Sequence, residues 1–359
     1  MEVYAYTISM AFLSFPAAAA LFTLPFLLTQ YRRHGYVHKY RALMLYLLLL
    51  YLMNAVYLIL LPLPPTIHNE PPAVDSYAQW IPFHFIQDIA AETTVRPDSP
   101  STYWRLLRER AFLQPAFNIL LTAPFGMFLR LYFRRSWLAC LLMTLSLSLL
   151  FEVTQVTGVY GIYDYPYRLF DVDDLITNTA GGLLGLLTAS LLMKRLPRID
   201  RLNDQVDLAT KRVSYTRRAV ALLCDWTIAL PLWLALHLLH VPFPYWVSIA
   251  LYFIVVPLMT NGRTFGKWLV RIKLRGQADR LLLRELVIRY GLLYGLIGGL
   301  HEAFLLLAAA HSPAILLLPA ALALFALDAV LAVHALRCLF NRNRRLFYEA
   351  RSETHHVIT

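Results

Sequence analysis

An all-α, polytopic membrane protein with about nine transmembrane helices in two bundles is the fold predicted by three observations. Hydrophobic residues make up 58% of the chain and the mean hydropathy is +0.53. Charged residues reach only 15%, against about 25% in soluble domains. Apolar runs near the length that crosses a bilayer, about 20 residues, recur from end to end, and the alternation of a β-barrel is absent.

The runs predict spans over Thr7–Leu28, Ala42–Leu63, Phe112–Phe133, Ser136–Val156, Leu175–Met193, Ala219–Leu239, Tyr245–Met259, Leu286–Ala310 and Ala314–Leu336. Met1–Tyr6 lacks a basic leader and no convincing small-residue cleavage site follows Leu28, so the first span is expected to be retained. Basic residues orient the path. They gather between Arg32 and Arg41, at Arg134 and Arg135, from Lys194 to Arg218, from Arg263 to Arg284, and in the tail. Placing all of these inside predicts an N-terminus outside and a cytoplasmic C-terminus in a bacterial inner membrane. The acidic connections, with Glu70, Asp88, Asp164 and Asp171 to Asp174, then face out.

A charged cytoplasmic linker over 197–216, with Pro197, is the expected boundary between a five-span domain over 1–196 and a four-span domain over 217–359. Cys140, Cys224 and Cys338 are far apart and sit in or beside apolar segments, which fits buried thiols and neither a metal nor a disulfide framework. The net charge of +11 follows from Lys and Arg at span ends, so it points to topology and not to nucleic acid. In the loop from Pro64 to Arg110, Trp80-Ile-Pro-Phe-His-Phe forms an aromatic patch suited to the headgroup region.

The chemistry concentrates at two helix ends. Asp171, Asp174 and Asn178 fall at i, i+3 and i+7, on one face of a helix that starts near Asp171. An aspartate there caps the helix and meets its dipole, with Asp173 or Asp171 as the cap. Glu152 and Gln155 lie one turn apart at the end of the preceding span. Gly181 and Gly185 form a small-xxx-small pair that lets another helix approach closely. These residues are expected to share a polar crevice with Arg168 as counter-ion. Three uses compete: a structural charge and amide network, a pocket for a polar envelope group, and acid/base or hard-metal chemistry centred on Glu152 and Asp174. No Ser or Cys nucleophile with a His base is visible, no catalytic residue is assigned, the metal question stays open, and no cofactor is implied.

These residues carry a resemblance. Ile81-Pro82-Phe83, then Asn118 with Pro124-Phe125-Gly126, Ser148 with Glu152 and Gln155, and Arg168 through Asp171, Asp174 and Asn178 to Gly181 run in the order seen in the VanZ-like membrane proteins. The resemblance covers the first half and implies a role at the bacterial cell surface, after a protein conferring low-level teicoplanin resistance. It brings no agreed biochemical mechanism. Asn118, Pro124 and Gly126 have structural readings of their own, as a helix kink and close packing.

In the second half, Arg218, Ala221 and Asp225 followed by Gly262 and Gly266-Lys267 resemble the RDD family. The family's H-D and G-T ending reads here as Tyr348-Glu349 and Glu353-Thr354, a departure. Acids inside spans, Asp225 and Asp328, suggest ion or proton coupling with Arg218 as partner of Asp225, or an ordinary packing clamp. Gly266-Lys267 belongs to no phosphate-binding loop and reads as a basic segment near anionic lipid.

The reading that follows is a membrane protein whose outward crevice recognises or handles an envelope amphiphile or precursor. Expected partners are membrane lipids, an envelope precursor or glycopeptide-type amphiphiles. The alternatives are an ion-coupled transporter using Asp225 and Asp328, and a membrane transferase or hydrolase.

Overall fold

The computed structural model describes the chain except Met1, Asp75, Pro97, 194–210, Asp279, 311–312 and 342–344. The expected linker over 197–216 therefore falls largely outside the described residues. Among the described residues, eight helices are long and apolar enough to cross a membrane, so the chain is a helical membrane protein. The ninth expected span corresponds to a shorter apolar helix over Pro244–Met259. At 1.5 Å per residue it reaches about 24 Å, less than the roughly 30 Å hydrocarbon core. Contacts divide the chain into two compact units, Met1–Phe22 with His38–Gln205 and Thr23–Val37 with Val206–Thr359.

Helix α1 (Glu2–His34) contributes to both units. The first unit adds α2 (Lys39–Leu60), a surface helix α3 (His84–Glu92), α4 (Arg110–Leu131), α5 (Trp137–Val156) and α6 (Val172–Leu192). Helix α6 packs closely on both α4 and α5. The glycines explain how. A Cβ on Gly126 would overlap the carbonyl of Gly182, one on Gly185 the carbonyl of Ala123, and one on Gly182 the side chain of Thr144. Between apolar helices in lipid there is little hydrophobic drive, so such close backbone contact and interhelical hydrogen bonds carry the packing. One such bond runs from Thr122 Oγ1 to the Asn178 carbonyl at 2.6 Å.

The long loop after α2 is tied to the loop before α6. Strand β1 (Ala78–Gln79) pairs in parallel with β2 (Phe170–Asp171), in the register Ala78 to Phe170 and Gln79 to Asp171. His68 Nδ1 lies 2.8 Å from Asp164 Oδ2, and Asn69 exchanges two hydrogen bonds with the Tyr165 backbone. These links deliver the Trp80–Phe83 segment to the N-terminal end of α6. Trp80, Ile81 and Phe83 remain exposed.

The second unit begins with α7 (Tyr215–Leu238), whose first turn is capped by Ser214. It continues through α8 (Pro244–Met259), which is π-helical over Ala250–Val255, a short helix α9 (Phe265–Leu269), and strand β3 (Ile272–Arg275). Then come α10 (Leu283–Ala309), α11 (Ala314–Phe340), α12 (Phe347–Ser352) and β4 (His355–Ile358), which pairs antiparallel with β3. Its core is aromatic: Phe253 stands 4.5 Å from Tyr294 between ring centroids, and Tyr290 stacks on Tyr294. Arg217 is fully buried near a second cluster that includes Tyr31 and Val270, with its guanidinium donating to the carbonyls of Val270, Gly35 and Arg271 at 2.6 to 2.9 Å.

Candidate functional site

Each unit holds a group of carboxylates. In the first, Asp171 occupies the N-cap of α6, and its Oδ1 accepts the Asp173 N–H at 2.8 Å. Asp173, the other cap candidate, reaches away from its own helix. Its carboxylate accepts the backbone N–H groups of Phe83 and Phe85 at 2.5 and 2.9 Å, at the N-terminus of α3. Phe83 sits there with a left-handed φ of 64° and no side-chain cap of its own, so Asp173 supplies the anion that end of α3 lacks. Asp174 accepts the Asn118 amide at 2.6 Å. Asn118, read above as structural, is thus a direct partner of the acid.

Glu152 is buried and its Oε2 accepts the Asp171 N–H at 3.0 Å, joining α5 to the start of α6. Asn178 is buried one turn deeper and donates to Ser148 Oγ at 2.9 Å, while Ser148 donates to the Asp174 carbonyl. Together these are a ladder of polar contacts between α4, α5 and α6 that rises from the apolar interior to the helix mouth.

Above the ladder opens a crevice of about 50 Å³, lined by Asp171, Asp173 and Asp174 with His84, Asp88 and Gln114 among others. His84 Nδ1 lies 3.1 Å from Asp88 Oδ2. Among the described residues no lysine or arginine lines the crevice. Burial pushes the Asp171 carboxyl above its usual range, the Asp173 N–H pulls back less strongly, and the Asp173 charge adds to the rise. Among the described residues, no cluster of three or more His, Cys, Asp or Glu side chains is arranged to hold a metal ion.

Three sequence expectations are corrected here. Gln155 turns away from the crevice: its amide donates to the Ile59 carbonyl at 2.9 Å, clamping α5 to α2. A helix end has neighbours on more than one side, and the spacing from Glu152 does not choose between them. Arg168 is exposed and forms no ion pair with Glu152, Asp171 or Asp174 among the described residues; it acts on Glu152 and Asp174 only through its field. Glu152 and Asn178 do not line the crevice and are engaged in interhelical bonds, while the Asp174 charge still acts on Glu152.

The second unit holds its acids differently. Asp225 is buried and accepts from Tyr252 Oη at 2.9 Å, Gly266 N–H at 2.7 Å and Thr264 Oγ1 at 2.7 Å. Its cation is Lys267, with Nζ at 3.5 Å. Arg218, the partner expected from the sequence, instead grips both oxygens of Glu349 at 3.0 and 3.1 Å. Seven residues of helix separate Arg218 from Asp225 by about 10 Å along the axis, too far for a direct pair. Lys267 is correspondingly no surface cation; it is buried on Asp225 through Thr264. Asp328 stands apart, with Oδ2 at 3.1 Å from His301 Nε2 in a half-exposed pair, so the two intramembrane acids form separate sites.

Glu349 is the hub that the sequence left unassigned. It also accepts from Arg289 Nη2 at 3.1 Å, and Arg289 Nη1 donates to Thr354 Oγ1 at 2.9 Å. Burial alone would raise the Glu349 carboxyl; His356, Arg289 and Arg218 outweigh it and hold it well below the usual carboxylate range. His356, with Nδ1 3.4 Å from Glu349, is pushed down to about 3 by burial, against the pull of that carboxylate. The positions that depart from the RDD-like ending are the ones that carry this network. Glu353 has a left-handed φ of 54°, a conformation that glycine adopts freely. The signal for Arg289 was a charge inside an otherwise apolar span.

No curated protein and no solved structure matches the chain. The RDD resemblance rests on the quoted residues alone. Residues 48–193 match the VanZ/LLP1 family model, which places the whole first carboxylate group, from the Asn118–Asp174 bond to Asn178, inside a VanZ/LLP1-type region.

Proposed function

We propose that the first unit recognises a polar group of an envelope amphiphile at the mouth of α6, on the outer face of the bacterial cytoplasmic membrane. One observation carries the reading: among the described residues the crevice is walled by carboxylates, with His84 as its one basic lining residue and no lysine or arginine. Such a wall attracts donors, a primary ammonium or hydroxyl groups, and repels phosphate or carboxylate. Its size supports the same view. At about 50 Å³ it is far smaller than the roughly 300 to 1,000 Å³ of whole small-molecule sites, which suits a small polar group and not an entire ligand. The exposed Trp80, Ile81 and Phe83 beside the mouth suit the apolar remainder of such a molecule. Kinship of residues 48–193 with the VanZ/LLP1 model extends this to acylated glycopeptides such as teicoplanin.

The test has two parts. Expression of the chain in a teicoplanin-susceptible bacterium raises the inhibitory concentration of the drug, and Asp174→Asn removes that protection. In neutral detergent, oleylamine raises the unfolding midpoint of the purified chain by several degrees, and Asp171→Asn and Asp174→Asn abolish the shift. Undiminished protection together with an undiminished shift in both variants rejects the reading.

A second reading, ion coupling through the second unit, draws on the buried Asp225–Lys267 pair, since a charge pair at membrane depth is a functional feature by default. It predicts sodium- or proton-dependent flux in proteoliposomes that vanishes with Asp225→Asn; flux that persists in this variant excludes it.

A further inference from the structure

The second unit contains a cavity of about 580 Å³ that the first unit's chemistry does not involve. That size lies within the range of small-molecule sites, roughly 300 to 1,000 Å³. One side is apolar, built from Leu222, Leu293 and a strip of α11 with Ala332, Ala335, Leu336 and Leu339. The other side is polar and carries Arg218, Arg289, Tyr290 and His356, with Lys267 beside Asp225.

The polar side has hydrogen-bond donors to spare. Arg218 Nε, Arg289 Nε and the Tyr290 hydroxyl are all buried and find no partner among the described residues. Arg289 and Tyr290 are 3% and 4% exposed, so solvent does not satisfy them. Natural proteins rarely leave buried donors unmet, and these three atoms belong to side chains that line the cavity. The charge count points the same way. Among the described residues Arg218, Arg289 and Lys267 face two carboxylates, Glu349 and Asp225, and His356 is neutral at physiological pH. One positive charge is left uncompensated beside the unmet donors.

We infer that this cavity binds an anionic amphiphile, with the oxygens of an acidic phosphate or carboxylate headgroup accepting from Arg218, Arg289 and Tyr290 and the chain lying along the α11 strip. A neutral molecule would leave both guanidinium Nε groups with weaker acceptors and the charge uncompensated. A free anion would leave the apolar side empty. Each half of the cavity therefore calls for one half of the ligand. The inference shares no residue with the site of the first unit, and either stands without the other.

The full chain in neutral detergent provides the test, with 1-oleoyl-lysophosphatidic acid as probe. At saturation the probe raises the unfolding midpoint by about 5 °C or more. Lysophosphatidylcholine with the same chain, in which the phosphate is capped by choline, and inorganic phosphate each leave it within about 1 °C. Arg289→Gln removes the response. Because Arg289 also holds Glu349, the decisive variant is Ala335→Trp, which fills the cavity from an exposed position of α11 and leaves the charge network intact. It is expected to unfold at the parent's midpoint and to lose the response. An equal shift with lysophosphatidylcholine overturns the inference in favour of general lipid filling. An equal shift with inorganic phosphate overturns it in favour of a free anion, and a full response in Ala335→Trp overturns the location.

Discussion

In the first unit Glu152, Asp173 and Asp174 take their hydrogen bonds from backbone N–H groups and one amide, whereas in the second Asp225 and Glu349 each lie against a cation. Both arrangements keep acid in a membrane protein, but they leave opposite charge behind. Dipoles solvate a carboxylate without neutralising it, so the first site stays negative and the helix N-terminus of α6 shares the cost. Cations neutralise it outright, and the second site, with one cation in excess, ends positive. Carboxylates in membranes are therefore poorly described by burial alone; what matters is whether they are met by dipoles or by charges.

The largest break of this contrast comes at Glu349. Replacing it by Leu strands Arg218 and Arg289 in a buried setting, which costs about 3–5 kcal/mol and is read as a lowered unfolding midpoint in detergent. The matching change in the first unit, Asp173→Ala, removes two bonds from Phe83 and Phe85 N–H groups to a charged acceptor and strands no cation. It is expected to cost less, about 2–3 kcal/mol, and to expose the Trp80–Phe83 loop to limited proteolysis. An Asp173→Ala penalty exceeding that of Glu349→Leu breaks the comparison.

Acid sharpens it further. The His356 ring is held near 3 in the folded chain against an ordinary 6.5, so the unfolded state binds the proton first. Stability from this group is full above pH 6.5 and is lost as pH falls from there toward 3, by up to about 1.4 kcal/mol per unit. Glu349 is depressed as well, so its contribution is present above its ordinary 4.5 and is lost at lower pH. Asp171 runs in the other sense. Its carboxyl is raised, so the folded state binds the proton more tightly, and acidification through the ordinary carboxylate range relieves the first site. His356→Asn removes the acid sensitivity between pH 6.5 and 4.5; a slope that survives the substitution contradicts the assignment.

The sequence made some of this legible and hid the rest for physical reasons. The helical membrane class followed from apolar run length, and most span ends agree with the structure to within a few residues because Lys, Arg and Pro punctuate them. The Asp171 cap was one of two readings of a helix start, and local capping chemistry settles it; the long reach of Asp173 to Phe83, across 90 residues, has no local signature. Glu152 could be placed near Asp171 because both lie at the ends of consecutive apolar segments. Gln155, on the same helix end, could not be assigned to α2 from its spacing. Arg218 failed as partner of Asp225 because helical periodicity says which residues share a face and not which distant chain segment meets it. Glu349 is 131 residues from Arg218. Lys267 was hidden for a related reason: a basic residue after a glycine reads as surface charge until Thr264 and Asp225 are seen to enclose it.

The central claim is that the two acid-bearing sites have opposite residual charge and so opposite ligand preference. One thermal-shift experiment addresses it directly, comparing oleylamine and 1-oleoyl-lysophosphatidic acid on the full chain, on Asp174→Asn and on Ala335→Trp. The account predicts that Asp174→Asn loses only the ammonium response and Ala335→Trp only the phosphate response. Loss of both responses in either variant, or retention of both in each, would contradict it.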